Sequence, residues 1–178
     1  ERKFCYMPGT KYEYQSGAPQ LLGFALRKAI AKPLAQYLSE KLWIPLGMER
    51  AAKWSVDDEG MEKAFCCIHG TARDFAKIGQ LILNDGKWNG TQIISKEFIK
   101  KLTEPTTEND AFCYTVWANE DCTIKHRFFY GFLGQFIIII PEKQMVIVKT
   151  GHDNHLPVDD KLRPHQVNFL VDELSKIF

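Results

Sequence analysis

The chain has 178 residues, 45% of them hydrophobic, which is enough for one domain of ordinary size with a real core. Its 23 Lys plus Arg against 22 Asp plus Glu leave a net charge of +1, giving no reason to expect nucleic acid or an acidic membrane surface as partner. No apolar run nears the roughly 18 residues of a membrane span, no signal peptide is evident and nothing suggests disorder, so a small neutral or zwitterionic substrate suits this composition best.

Pro8-Gly9 is a turn signal, and residues 11–14 alternate polar with aromatic side chains as a short extended segment does. Gln15-Ser16-Gly17 breaks the alternation ahead of Leu21, Leu22, Ala25, Leu26, Ala29 and Ile30, which sit at helical spacing. Tyr14 and Ser16 therefore stand at a helix entrance, where backbone N–H groups are free and negative charge is favoured. Two readings are open there: a site of chemistry, or a buried Tyr whose hydroxyl finds one partner beside a Ser16 helix cap.

The first helix is predicted to end near Ala31, and Pro33 at an N1-like position starts a second one carrying Leu34, Tyr37, Leu38 and Leu42, stopped by Trp43-Ile44-Pro45-Leu46-Gly47. Residues 49–60 are charged and turn-rich, with Asp57-Asp58-Glu59-Gly60 as the exposed tip. Trp54 in this stretch either lines a cleft or packs under the loop. Thr71-Ala72-Arg73-Asp74 has the form of a capping box before Phe75, Ile78 and Ile82, on a helix ending at Asn84-Asp85-Gly86. Arg73 and Asp74 invite a catalytic reading, but a cap and an ion pair account for both. After the turn Trp88-Asn89-Gly90, Ser95 caps a short helix with Phe98, Ile99 and Leu102, ended by Pro105.

From Phe112 the pattern changes to strands, predicted over 113–117, 125–130, 135–140 and 144–149. The continuously apolar run 136–140 suits a central strand covered on both faces, and the short connection Pro141-Glu142-Lys143 makes the last two strands antiparallel neighbours. Pro164 precedes a helix whose stripe of Val167, Leu170, Val171, Leu174 and Ile177 should pack on the sheet. The fold class is thus α/β in the α+β sense: an antiparallel sheet flanked by a C-terminal helix, with the helices of residues 21–83 as a separate α-helical layer. The mainly helical part covers 1–111, and the sheet strands with the last helix cover 112–178.

The five cysteines, Cys5, Cys66, Cys67, Cys113 and Cys122, are an odd number without metal-ligand spacing. Most read as small buried hydrophobes; a Cys113–Cys122 bridge across a hairpin and free thiols are both open. His152 and His155 share a loop with Asp153 and Asp159, but no further ligand is fixed by helical spacing, so a solvated loop is expected there and no metal or other cofactor.

Pro8-Gly9-Thr10, Tyr14-Gln15-Ser16 and Leu21-Leu22-Gly23 together resemble the second motif of the serine β-lactamase and penicillin-binding-protein superfamily. The similarity is greater to its class C-like branch, with the esterases and 6-aminohexanoate-dimer hydrolases. It continues through Lys41-Leu42-Trp43-Ile44-Pro45-Leu46-Gly47-Met48, Thr71-Ala72-Arg73-Asp74-Phe75-Ala76-Lys77-Ile78-Gly79-Gln80 and Gly134-Gln135-Phe136-Ile137-Ile138-Ile139-Ile140-Pro141-Glu142. These blocks keep the family's order over nearly the whole chain. The resemblance implies a partial β-lactamase/transpeptidase-like fold and hydrolysis of a β-lactam, peptide or small ester through an acyl-enzyme. It also makes a periplasmic or secreted location plausible. Since the chain starts at Glu1 rather than Met, a fragment or processed form lacking the family's N-terminal half is expected.

In the family the nucleophile is the Ser of Ser-x-x-Lys, whose Lys and the motif Tyr together take the Ser proton and later pass it to the leaving group. Here Ser16 is followed three on by Pro19, Ser39 by Leu42, Ser55 by Asp58 and Ser95 by Phe98, and Ser175 stands close to the end, so the chain carries no Ser-x-x-Lys nucleophile. A free Tyr ionises near pH 10, so Tyr14 needs a nearby cation, the role of that absent Lys. Tyr14 and Ser16 are the catalytic residues the resemblance implies. The family's Lys-Thr-Gly element has two strands and a helix after it. A literal Lys149-Thr150-Gly151 is present, but the order of elements matches Phe129-Tyr130-Gly131-Phe132 instead, with the Phe132 N–H as an oxyanion donor next to Gly131. Replacing Lys and Thr by Phe129 and Tyr130 moves the expectation from a β-lactam carboxylate toward ester or amide substrates. Lys149 is expected at the far end of the last strand and Gly131 near the Tyr14 turn. The competing reading is a catalytically inactive, binding-only remnant of the same fold.

Overall fold

The computed structural model describes residues 7, 10, 12–105, 110–152 and 157–177. Helix α1 (Gly17–Ile30) ends where Ala31 turns left-handed at φ 52°, and Pro33 then caps α2 (Leu34–Leu38), which runs on into a π-helical turn, Ser39–Trp43. Pro33 thus stands one place outside the helix rather than at its first position. A short antiparallel pair, β1 (Lys53–Trp54) with β2 (Ile68–His69), closes the intervening loop. Trp54 packs under that loop, its Nε1 donating to the carbonyls of Lys63 and Cys66, both at 3.0 Å.

Helix α3 (Ala72–Leu83) opens as a capping box predicts: Thr71 Oγ1 accepts from the Asp74 N–H. After the hairpin of β3 (Lys87–Trp88) and β4 (Thr91–Gln92), Ser95 accepts from Phe98 N–H to cap α4 (Lys96–Thr103). The sheet is a five-stranded antiparallel meander of β5 (Phe112–Cys113), β6 (Val116–Asn119), β7 (His126–Gly131), β8 (Gln135–Ile140) and β9 (Met145–Lys149), in that order. Helix α5 (His165–Leu174) follows.

One face of the sheet, with Trp117, Phe128, Phe136, Ile138 and Ile140, packs on Val167 and Val171 of α5. The other carries Ile139 against Ile82 of α3 and Ile99 of α4. Both faces of β8 are covered, which is why its sequence is an unbroken apolar run. Two expectations change, and a third becomes specific: the α-helical layer meets the sheet through helix α3, on the face opposite α5. A Cβ on Gly79 would stand 2.6 Å from Val146 and 3.0 Å from Ile137, so the helix lies directly on β8 and β9. The strand predicted over 113–117 is a hairpin, with Tyr114 at φ 38° and Thr115 at φ 86° forming the turn between β5 and β6. Neither residue is one that favours positive φ, so no turn signal was present to read. Cysteines differ as well: Cys66 and Cys67 are bonded to each other, while Cys113 is buried and free and Cys122 is a half-buried free thiol, so no bridge spans the hairpin. Cys5 lies outside the described residues.

Candidate active site

Tyr14 leaves the chain just ahead of α1 and lays its ring on the sheet. Its centroid is 5.8 Å from that of Trp117, nearly parallel at 25°, and 5.8 Å from Phe112 in an edge contact. Tyr12 adds a tilted contact to Phe112 at 5.3 Å. These rings are neighbours because Phe112 pairs with Trp117 and Trp117 with Phe128, which sets all three on one sheet face. Two residues further along β7 on that face stands Tyr130, tilted on Phe136 at 5.4 Å. Tyr14 is 53% exposed, and among the described residues its hydroxyl makes no hydrogen bond. At that exposure the reading of a buried Tyr does not hold.

Burial first, and the neighbouring Tyr14 second, push the Tyr130 phenol above its ordinary value, and the same two causes in the same order raise Tyr12 to about 12. Tyr130 and Tyr12 are thus protonated at neutral pH, as donors rather than bases. Ser16 occupies the N-cap position of α1, but its φ of −64° and ψ of −23° are helical rather than extended. Its hydroxyl caps nothing and is exposed.

Gly131 ends β7 opposite Gln135, adjacent to Tyr130. The connection to β8 is Phe132, Leu133 and Gly134, the last two at φ 64° and 76°. Phe132 lies outside the ladder with its side chain 84% exposed, so its N–H is not committed to strand pairing. Lys149 is not at the far end of the sheet. It pairs with Phe136, which pairs with Tyr130, so the three form one row across the end that also carries Gly131. Strand β8 stands between, however, and the ammonium is spent locally, donating to the Gly134 carbonyl at 3.1 Å with the Phe136 ring 5.5 Å away. Gly151 exchanges hydrogen bonds with the Gln135 side chain, tying the Lys149-Thr150-Gly151 stretch to the β7–β8 connection.

Asp74, tempting as a catalytic acid, is fully buried and structural: its carboxylate accepts from the Glu49 N–H at 2.6 Å and the Thr71 hydroxyl at 2.8 Å. Arg73 reaches only an exposed pairing with Glu49 at 3.9 Å. His155 and Asp153 lie outside the described residues, and Asp159 is engaged by Arg163 at 2.7 Å. Among the described residues no group of three or more His, Cys, Asp or Glu is placed to hold a metal ion. Open grooves of about 590 Å³ along β9 and about 450 Å³ between α3, α4 and the start of β7 lie away from Tyr14, whose rings form an aromatic wall on the sheet. Sequence reasoning placed Tyr130 at the site through its neighbour Gly131 but missed Trp117 and Phe112 as parts of this wall. The alternation of Phe128 and Tyr130 along β7 was the signal available.

The Beta-lactamase family model matches residues 3–171. The protein described as "Putative D-alanyl-D-alanine carboxypeptidase" of Escherichia coli O157:H7 is 24% identical over 87% of this chain and 48% of its own length. The 6-aminohexanoate-dimer hydrolase of Paenarthrobacter ureafaciens is 26% identical over 52% of this chain and 24% of its own. The solved structure described as "Putative 6-aminohexanoate-dimer hydrolase from Bacillus anthracis" superposes with a TM-score of 0.81 at 28% identity, covering 98% of this chain and 47% of that one. The chain thus spans about half the length, or less, of these relatives.

Proposed function

The chain belongs to the beta-lactamase family, and on that premise we propose that it is the C-terminal portion of a class C-like serine hydrolase that cleaves an ester or amide through an acyl-enzyme. In this reading residues 1–111 and 112–178 are its mainly helical and sheet parts, and an N-terminal half outside this chain brings the Ser-x-x-Lys segment to the face of Tyr14. The observation that supports the reading is the seating of Tyr14 on Trp117, which sets a half-exposed phenol on the sheet face that also carries Phe128 and Tyr130.

The roles follow from the chemistry. The serine hydroxyl attacks the substrate carbonyl carbon while its proton passes to Tyr14, which the adjacent lysine ammonium keeps able to accept it. The Phe132 N–H stabilises the oxyanion. Tyr14 then returns the proton to the leaving amine or alcohol, with the exposed Ser16 hydroxyl beside it as a relay. Phe129 and the neutral donor Tyr130, in place of the family's Lys and Thr, suit an ester or amide substrate rather than a β-lactam carboxylate. The names of the relatives, a 6-aminohexanoate-dimer hydrolase and a putative D-alanyl-D-alanine carboxypeptidase, support amide-bond cleavage. No helix of the described residues is long and apolar enough to cross a membrane, and a periplasmic or secreted setting is part of the proposal.

The absence of Ser-x-x-Lys from this chain favours a second reading, an inactive, binding-only form of the fold. Treatment with a fluorophosphonate or penicillin probe followed by intact-mass spectrometry separates the two. The chain alone should carry no adduct, and the protein including its upstream half should carry one per molecule. No adduct on that longer protein would leave the binding-only reading standing.

A further inference from the structure

The loop between β1 and β2 carries a feature that acyl transfer does not use. Cys66 and Cys67 are bonded to each other and both are only half-buried, next to the 43% exposed Phe65. Cys67 is held at φ 75°, in the left-handed region that a residue with a β-carbon adopts at a cost. Around the pair the backbone is pinned at several points. Trp54 Nε1 donates to the Cys66 carbonyl, Ser55 N–H donates to the Cys67 carbonyl at 3.0 Å, and Cys66 N–H donates to the Lys63 carbonyl at 3.0 Å.

The same loop is fastened to the helix that follows Tyr14. Gln20 in the first turns of α1 donates to the Glu62 carbonyl at 3.1 Å and accepts from the Ala64 N–H at 2.8 Å. One turn on, a Cβ on Gly23 would come within 2.6 Å of the Ala64 Cβ, so helix and loop are in direct contact. A rearrangement at Cys66 and Cys67 therefore has a short rigid path, through Ala64 and Gln20, to the segment that presents Tyr14.

We propose that Cys66–Cys67 is a thiol–disulfide modification site, opened by dithiol reductants and, once open, bound by trivalent arsenicals, whose state sets how firmly the start of α1 is held. In the opening step a dithiol thiolate attacks one sulfur and breaks the S–S bond. The second thiol of the reductant displaces the mixed disulfide, so two protein thiols form and the reductant leaves as its own disulfide. The adjacent thiols then take up phenylarsine oxide, forming two As–S bonds and releasing one water. Freed from the ring, Cys67 can leave the left-handed region, which loosens the Trp54 and Ser55 anchors and with them the Ala64–Gln20 pair.

The test needs no enzymatic activity, so it stands or falls separately from the proposed function. On the full chain before reduction, peptide mapping after alkylation should leave Cys66 and Cys67 unmodified. After reduction both should alkylate, and the chain should take up one phenylarsine oxide, while C66S/C67S takes up none. Hydrogen exchange at the Ala64 amide and in residues 17–23 should speed at least about tenfold on reduction, with the α3 amides unchanged. C66S/C67S should show the faster exchange with or without reductant, and in Gln20→Ala the α1 response to reduction should vanish. Two free thiols at these positions before reduction, or a reduced pair with unchanged exchange at Ala64 and 17–23, would overturn the proposal.

Discussion

Replacing Asp74 by Ala removes a buried carboxylate that fastens the start of α3 to the loop after Met48. Its oxygens accept from the Glu49 N–H and the Thr71 hydroxyl, and the group is fully buried. Each such charge-assisted bond contributes about 1.5 to 3 kcal/mol, and a buried N–H left unpaired costs a further 1 kcal/mol or so. Structural relaxation and water entry recover part of this, leaving an expected loss of about 3 kcal/mol at pH 7. For a chain of this size that lowers the melting temperature by roughly 6 to 12 °C. The pH dependence supplies a second reading. Burial pushes the Asp74 carboxyl up, but the bonds from Glu49 N–H, Thr71 and Arg50 N–H, with Lys77 nearby, outweigh it and hold the folded value below the ordinary one. The stabilisation is therefore present above the unfolded value of about 4 and is lost as pH falls through the folded value. Urea unfolding of both proteins from pH 7 down to pH 3 should show the deficit of Asp74→Ala shrinking below about pH 4, while Asp74→Asn, which keeps an acceptor for Glu49, loses only about 1 kcal/mol at pH 7. A deficit under about 0.5 kcal/mol at pH 7, or one unchanged by acid, would refute the structural assignment.

Gly79→Ala should destabilise by about 1 kcal/mol although helix propensity alone favours Ala by a similar amount, because the new methyl meets the stiff Val146 side chain at 2.6 Å. Chemical denaturation measures the sign, and a stabilised variant would mean that α3 can lift off the sheet at no cost. Arg163→Ala should cost about 2 to 4 kcal/mol, since the buried guanidinium donates to Asp159 at 2.7 Å, Asn119 at 3.0 Å and Asp121 at 3.1 Å. Its hydrogen exchange should quicken in 157–164 and at the end of β6, whereas exchange like that of the wild type would show the cluster to be dispensable. Tyr14→Phe should leave stability within about 0.5 kcal/mol, because it keeps the rings on Trp117 and Phe112 and removes a hydroxyl without a hydrogen-bond partner among the described residues. A large fall in melting temperature would assign that hydroxyl a structural role.

Periodicity carried most of the fold. The stripe Val167, Leu170, Val171 placed α5, the run 136–140 marked a doubly covered strand, and the Thr71 and Ser95 caps marked helix starts within a residue of where they stand. What stayed hidden is set by three-dimensional partners. Gly79 gives no sign in sequence that it lets a helix touch a sheet, and Tyr114-Thr115 adopts a hairpin turn without turn residues because the flanking strands impose it. At the candidate site the Tyr14 segment was legible as a helix entrance with an aromatic motif. The wall that receives it was not, since Phe112, Trp117 and Tyr130 become neighbours only through strand register. Lys149 shows the converse: element order alone misjudged its place, because antiparallel register returns the end of β9 to the level of Tyr130.

The most direct test is the rate of serine phosphonylation by a fluorophosphonate, which forms an O–P bond and expels fluoride, in the protein with its upstream half, compared between wild type and Tyr14→Phe at matched stability. Residues of such catalytic units act together, so losing the Tyr14 hydroxyl should slow adduct formation on the order of 10⁴-fold with the melting temperature unchanged. An undiminished rate in Tyr14→Phe, or a stoichiometric adduct on the 178-residue chain by itself, would contradict the role assigned to Tyr14.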